Sequence, residues 1–190
     1  MTKKLMILRE AARLFADKGY NETSTQEIAE AAHTATGTIF YHFETKQGIL
    51  RHIYENMVSQ YLEDIEGLVD SGDTGIEALK NILEFNFRFA EENRAEFTVV
   101  HRDVPSHIKY DKERIDMIRR NSEQSVEFFK RAIERGVADG SIKPETNAVD
   151  TARLIKAMLV GLVRMTRLNM MDFPDRKKVT IDFCIKALQN

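Results

Sequence analysis

The sequence predicts an all-α fold, an N-terminal three-helix head followed by a C-terminal helical bundle, and three observations carry that expectation. Apolar residues recur at three- and four-residue spacing along nearly the whole chain, as they do in helices buried on one face. Only 3 prolines and 9 glycines occur in 190 residues, so long helices meet few interruptions. No stretch alternates apolar and polar residues in the manner of a half-buried strand, and no internal repeat emerges.

The elements follow in order. Leu5, Leu8, Ala12 and Phe15 form a first stripe, widened by Ile7, Ala11 and Leu14. Gly19 supplies the positive φ that ends it, and Tyr20 follows as a packing residue. The polar run Asn21 to Thr25 offers N-caps for a short helix from Gln26 to Ala32. After His33 and Thr34 a second short segment covers Ala35 to Phe43, and Thr45 caps a long one from Lys46 to about Val69. Ser71 to Gly75, all turn formers, reads as the clearest linker in the chain. A helix from Ile76 to about Glu92 carries Leu79, Ile82, Leu83, Phe85, Phe87 and Phe89, enough to bury it on more than one side. Asn93 to Phe97 opens a short helix, and Pro105 breaks the chain. A long helix then runs from Lys112 to about Asp139, closed by Gly140. Pro144 with Thr146 or Asn147 starts another that continues to about Met171, and Pro174 turns into the last, Arg176 to Leu188. The expected division is a head at residues 1–46 and a body at residues 47–190.

Composition removes several classes of function. Net charge is −2, so any nucleic-acid surface must be local. The lone Cys184 excludes an internal disulfide and is expected to pack as a small hydrophobe in a reducing cytoplasm. The longest apolar run, Ala157 to Val163, is far short of the ~20 residues of a membrane span. Arg9, Glu10 and Arg13 break any signal-peptide core, and no membrane partner is expected. His101 and His107, with Asp103 and Asp111, straddle Pro105 at a spacing that fits no metal template. No nucleophile–base pair converges. The chain therefore reads as a non-enzyme without metal or cofactor.

The two short segments, roughly Thr25 to Phe43, have the form of a helix-turn-helix. Ile28, Ala31 and Ala32 can pack on the first short helix, and Ile39 and Phe43 lie one turn apart on the second. Leu8, Ala12 and Phe15 supply the other wall. Thr36, Thr38, Tyr41 and His42 are left pointing outward, and contact with a DNA groove gives them a reason to be there. Threonine methyls can meet thymine methyls, while hydroxyl, phenol and imidazole groups reach phosphates or base edges.

At this point the head resembles the tetracycline-repressor (TetR) family. The resemblance covers about Leu5 to Leu50. It rests on the joint spacing of Phe15, Gly19-Tyr20, Thr25, Ile28-Ala29, Gly37-Thr38, His42-Phe43 and Lys46. It implies a homodimeric repressor on double-stranded operator DNA, released by a small-molecule effector. By position, Thr25 would cap the supporting helix and touch a phosphate, and Gln26 would reach a base. Thr36, Gly37 and Thr38 would open the recognition helix, with Gly37 letting the backbone approach DNA. Tyr41 and His42 would contact backbone and groove edge, and Lys46 a phosphate.

The chain departs from the family pattern in places. His33 stands where glycine is usual and must adopt a left-handed or strained turn. Thr34 replaces a common valine. Thr36 and Phe40 replace a common basic residue and tyrosine, deleting two phosphate contacts. Within residues 1–50, Lys3, Lys4, Arg9, Arg13, Lys18 and Lys46 balance Glu10, Asp17, Glu22, Glu27, Glu30 and Glu44. A neutral head implies that two linked heads share the work of binding.

The body carries weaker signals. Taken together, Phe85, Phe89 and Phe97, with Met117, Met158 and Met165, suit a pocket for an apolar or aromatic ligand, though each taken singly is better explained as core. Arg88, Arg102, Arg153 and Arg164 are either anchors for an anionic group or solvated surface. Gly161 allows close approach by another helix, and the family layout places it with the last helix in a four-helix dimer interface. A DNA-binding architectural factor without an inducer is the alternative function.

Overall fold

The computed structural model describes residues 2–101 and 112–190. Its helices are α1 (Lys3–Lys18), α2 (Thr25–Ala31), α3 (Thr36–Phe43), α4 (Lys46–Glu66), α5 (Gly75–Glu92), α6 (Arg94–His101), α7 (Lys112–Asp139), α8 (Ala148–Arg167) and α9 (Arg176–Leu188). The sole β feature among the described residues is an isolated bridge between Ile142 and Gln189. Arg102, Asp103, Pro105, His107 and Asp111 lie outside the described residues. No described helix is long and apolar enough to cross a membrane.

The described residues group into two units. One holds residues 2–59, α6 and residues 112–115; the other holds residues 60–92 and 116–190. The first therefore runs past residue 46. Its core takes Ile7, Ala11 and Phe15 from α1, Ile28 and Ala32 from α2, and Ile39 and Phe43 from α3. Ile49, Leu50 and Ile53 of α4 and Val99 of α6 complete it. Burying each such large side chain contributes about 1.5–3 kcal/mol. That packing is what holds helices as short as α2 and α3, which could not persist alone. Gly48 matters here: a Cβ on it would strike the Phe43 carbonyl, so the first turn of α4 can sit directly on the end of α3.

In the second unit Leu79, Ile82 and Leu83 of α5 are fully buried, as are Phe129, Ala132 and Ile133 of α7. Phe85, Phe87 and Phe89 are buried too, so α5 is enclosed on more than one side as its pattern predicts. Helix α9 packs on α5, and its Ile181 and Cys184 are buried. Cys184 is a packed small residue, and burial pushes its thiol pKa up.

Helix ends account for most differences from expectation. Helix α4 stops at Glu66, and the backbone from Leu68 to Ser71 continues in tight turns. Helix α8 stops at Arg167 rather than about Met171. There Asn169 adopts φ 53°, the Met170 N–H donates to the Met165 carbonyl at 2.9 Å and the Asn169 N–H to Thr166 at 3.2 Å. This is a Schellman stop with asparagine at the left-handed position. Asn147 caps α8 by accepting from the Asp150 N–H at 3.1 Å.

The Ser71–Gly75 segment is not a loose linker. The Arg135 guanidinium donates to the carbonyls of Val69, Ser71 and Gly72 at 3.4, 3.3 and 2.8 Å. Asp139 accepts from the Gly75 N–H at 2.7 Å, and Glu77 accepts from Asp73 and Thr74 at 2.8 and 3.1 Å. Gly75 itself is buried, and a Cβ there would collide with the backbone of Gly136. Turn-forming composition recorded the sharp backbone but not the side chains from α7 that hold it. Gly75→Ala is expected to destabilise the protein by about 1–3 kcal/mol, the usual penalty of overpacking. Gly67→Ala, where a Cβ meets open space, should shift stability by less than about 0.5 kcal/mol. Urea unfolding midpoints of the two variants check the contrast.

Candidate nucleic-acid interface

Helix α2 starts one residue earlier than its pattern predicts, and Ser24 rather than Thr25 caps it. The Ser24 hydroxyl accepts from the Glu27 N–H at 3.1 Å, while the Glu27 carboxylate accepts from the Ser24 N–H at 2.8 Å. This reciprocal capping box leaves Thr25 at the first helical position, half-buried. Serine wins the cap because glutamate stands three residues beyond it. Lys18 reaches across from α1 to Glu27 at 2.6 Å. Thr23, buried beneath, donates to the Gly19 carbonyl at 2.8 Å, tying the turn to the end of α1.

The turn between α2 and α3 explains His33. Its φ is 49°, the Thr34 N–H donates to Ala29 at 2.9 Å, and the His33 N–H donates to Glu30 at 3.1 Å. His33 is the left-handed residue of another Schellman stop, a place where glycine costs least. The geometry usual for glycine is thus kept with a histidine in it.

Helix α3 is anchored by Ile39 and Phe43, which are 0% and 2% exposed. Tyr41, between them in sequence, is 84% exposed and Phe40 is 48% exposed. Thr36, Thr38 and His42 are half-buried, and Gly37 is exposed. The Tyr41 and His42 rings lie 5.1 Å apart, edge to face. Ala35 caps α3 without a side-chain bond. Among the described residues, the N–H groups of Thr36 and Gly37 have no acceptor. Nothing lies within 4 Å of where a Gly37 Cβ would stand. The start of α3 thus presents free amides and the positive end of its dipole to the outside.

Positive charge around this surface is largely committed within the protein. Arg13 pairs with Glu10 and Asp17, and Lys18 with Glu27. Lys46 donates to the Asn21 carbonyl at 3.3 Å and lies 4.4 Å from the Tyr20 ring centre. Partial burial pulls the Lys46 ammonium below the ordinary lysine value, against the opposing pull of Glu22 and Glu27. Gln26 donates to Glu30 of its own helix at 3.1 Å. No carboxylate among the described residues pairs with Lys3, Lys4 or Arg9, and Lys4 lies 5.9 Å from the Phe43 ring centre.

Of the body's candidate pocket residues, Phe97 belongs to the first unit, on α6, and the other five to the second. Phe85 and Phe89 are buried with ring centres 5.5 Å apart. Phe97, Met117, Met158 and Met165 are half-buried. Arg88, Arg153 and Arg164 are exposed, and the first two pair with Glu92 and Asp150. The sequence pattern passed over Tyr61, whose ring meets both Phe85 and Phe89, at 5.6 and 5.3 Å.

Residues 7–53, the span that builds the first unit through α4, match the model for bacterial regulatory proteins of the tetR family. Over this span the chain is similar to that family. Among curated relatives, the HTH-type transcriptional repressor KstR2 of Mycolicibacterium smegmatis is 23% identical over 150 residues, covering 79% of this chain and 72% of its own. Among solved structures, the TetR family transcriptional regulator PfmR from Thermus thermophilus is 26% identical at a TM-score of 0.73, covering 94% of this chain and 91% of its own. FadR from Bacillus subtilis, solved in complex with stearoyl-CoA, shares the fold at a TM-score of 0.78 and 18% identity, covering 95% of this chain and 97% of its own. The departures at His33, Thr36 and Phe40 from the family pattern are accommodated without loss of the helix-turn-helix.

The capping box gives the head a pH signature. Lys18, the Ser24 N–H and the Ser24 hydroxyl pull the Glu27 carboxyl from its ordinary 4.5 down to about 2. A depressed carboxylate stabilises the folded state fully above its unfolded value and loses that contribution as pH falls through the folded value. Glu27→Gln should therefore lower the melting temperature at neutral pH, and the gap from the unmodified protein should close between about pH 4.5 and 2. Melting curves across that range read the effect.

Proposed function

We propose that the protein is a dimeric repressor that grips a palindromic operator through α3 and lets go when a small apolar or aromatic ligand binds the body. The observation that carries this reading is the split of α3 into a sealed face and an open one. Ile39 and Phe43 are buried while Tyr41 is 84% exposed, on a helix within the matched family span. A solvent-facing tyrosine beside free helix-start amides suits a phosphate backbone and groove edge.

In this reading residues 1–46 carry DNA binding and residues 47–190 carry effector binding and dimerisation. Thr36, Thr38, Tyr41 and His42 face the groove, and the Gly37 amide meets a phosphate. Thr25 touches a phosphate from the first turn of α2, and Gln26 reaches a base after leaving Glu30. Lys46 keeps two of its three protons for a phosphate while one holds Asn21. An apolar effector is supported by Phe85 and Phe89 in the body and by the acyl ligand of the FadR relative. Met117, Met158 and Met165 of the same unit are proposed to add to that lining. The effector acts by favouring a head separation that no longer matches successive major grooves.

Selection from a random duplex pool tests the central claim. A palindrome with half-sites about 34–36 Å apart is expected, and absence of any enriched sequence would sink it. On the selected sequence Tyr41→Ala should weaken binding about tenfold with melting unchanged.

Dimerisation is supported by apolar side chains left in the open on the two helices that the family layout places at the interface. Leu154 and Val160 of α8 are 70% and 42% exposed, and Val179 and Phe183 of α9 are 48% and 65% exposed. Nothing lies within 4 Å of where a Gly161 Cβ would stand, so that position is open to a second copy. Phe183→Glu should shift sedimentation from dimer to monomer and cost operator affinity at least about tenfold, since linked heads bind with a high effective concentration.

A further inference from the structure

Four polar side chains meet inside the second unit, each from a different helix: Tyr61 of α4, Asn86 of α5, Ser125 of α7 and Lys156 of α8. The Tyr61 hydroxyl donates to Asn86 Oδ1 at 2.9 Å, lies 3.1 Å from Ser125 Oγ, and accepts from Lys156 Nζ at 3.3 Å. Asn86 Nδ2 donates in turn to the Ile82 carbonyl at 2.8 Å. With Ser125 as donor, the hydroxyl's one proton and two lone pairs are all used. Tyr61 is 9% exposed and Ser125 2%, and the Tyr61 ring abuts Phe85 and Phe89.

Lys156 is the unbalanced member. It is half-buried, with its ammonium 4.6 Å from the Tyr61 ring centre. Arg88, Arg131, Arg153 and Arg176 of the same unit each have a carboxylate. No carboxylate among the described residues pairs with Lys156. A partly desolvated ammonium facing neutral groups is costly unless an anion joins it. Tyr61 takes one of its protons, leaving two donors unspent.

We propose that Lys156 receives the carboxylate of an amphiphilic effector, whose apolar part lies along the Tyr61–Phe85–Phe89 cluster. A single ammonium neutralises a monoanion; a phosphate dianion would require a second cation, and the arginines paired above are committed. The site rests on the effector reading given under Proposed function and narrows it from apolar ligands in general to apolar carboxylates.

Decanoate and methyl decanoate, matched in chain length, serve as probes of the full-length protein on the operator recovered by selection. Melting reports binding and fluorescence anisotropy reports release. Decanoate should bind and release operator about tenfold better than the ester. Lys156→Met should erase that preference, and Lys156→Arg should retain it. Lys156→Arg also serves if the methionine variant melts early. Equal potency of acid and ester in the unmodified protein would overturn the carboxylate site and leave an apolar effector standing. So would a preference that survives in Lys156→Met. Lys156-dependent binding of decanoate without operator release would keep the site and remove the effector reading. Binding of neither probe overturns the site.

Discussion

Everything the head does depends on two side chains set one turn apart on an eight-residue helix. Alone, α3 would not hold together. Ile39 and Phe43 give it a single rotational setting by entering the core built from α1, α2 and α4. Once that setting is fixed, the direction of every other side chain on α3 follows. Tyr41 is outward because its neighbours two positions away are inward. The Gly48 position reinforces this arrangement, since the end of α3 and the start of α4 touch backbone to backbone.

Charge within the head is arranged for its own assembly first. Arg13, Lys18 and Lys46 are occupied by carboxylates, a carbonyl and an aromatic ring. Affinity for a polyanion then cannot come from a strongly basic patch. In the proposed reading it comes from what is left: helix-start amides, hydroxyls, and Lys3, Lys4 and Arg9 near the start of α1, which pair with no carboxylate among the described residues. Such contacts depend on geometry more than on bulk charge, so specific binding gains relative to non-specific attraction.

The sequence was most legible where structure is local. Helix ranges for α7 and α9, the stop at Gly140 and the Thr45 cap follow from spacing and from what single residue types tolerate, and the left-handed turn at His33 from the family's usual glycine there. Ser24 was missed as the α2 cap although Glu27 three residues on marks a capping box. The Ser71–Gly75 loop and the polar cluster of Tyr61, Asn86, Ser125 and Lys156 were missed for a different reason. Their bonds join residues 25 to 95 positions apart, and periodicity carries no information at that range. A trace was present all the same. Ser125 lies one turn before Phe128 and Phe129, and Lys156 follows Ile155 within the Ala152–Leu159 stripe. Polar residues at core-facing positions were the available signal. The proposed DNA contacts outside the outward face of α3 rest on resemblance, and the proposed pocket residues on the clustering of aromatic and methionine side chains.

The core of the first unit is closed by Val99, with Ala95 packed against it, from a helix that begins long after α4 has left that core. Helix α6 packs against α1. The first unit is consequently not contiguous in sequence. A chimaera that joins the first 46 or 59 residues to another regulator's body would bring the recognition surface without one of the walls behind it. Regulators of this design can exchange heads only if the incoming body offers an α6 of matching shape, which makes head and body partners in inheritance rather than interchangeable parts.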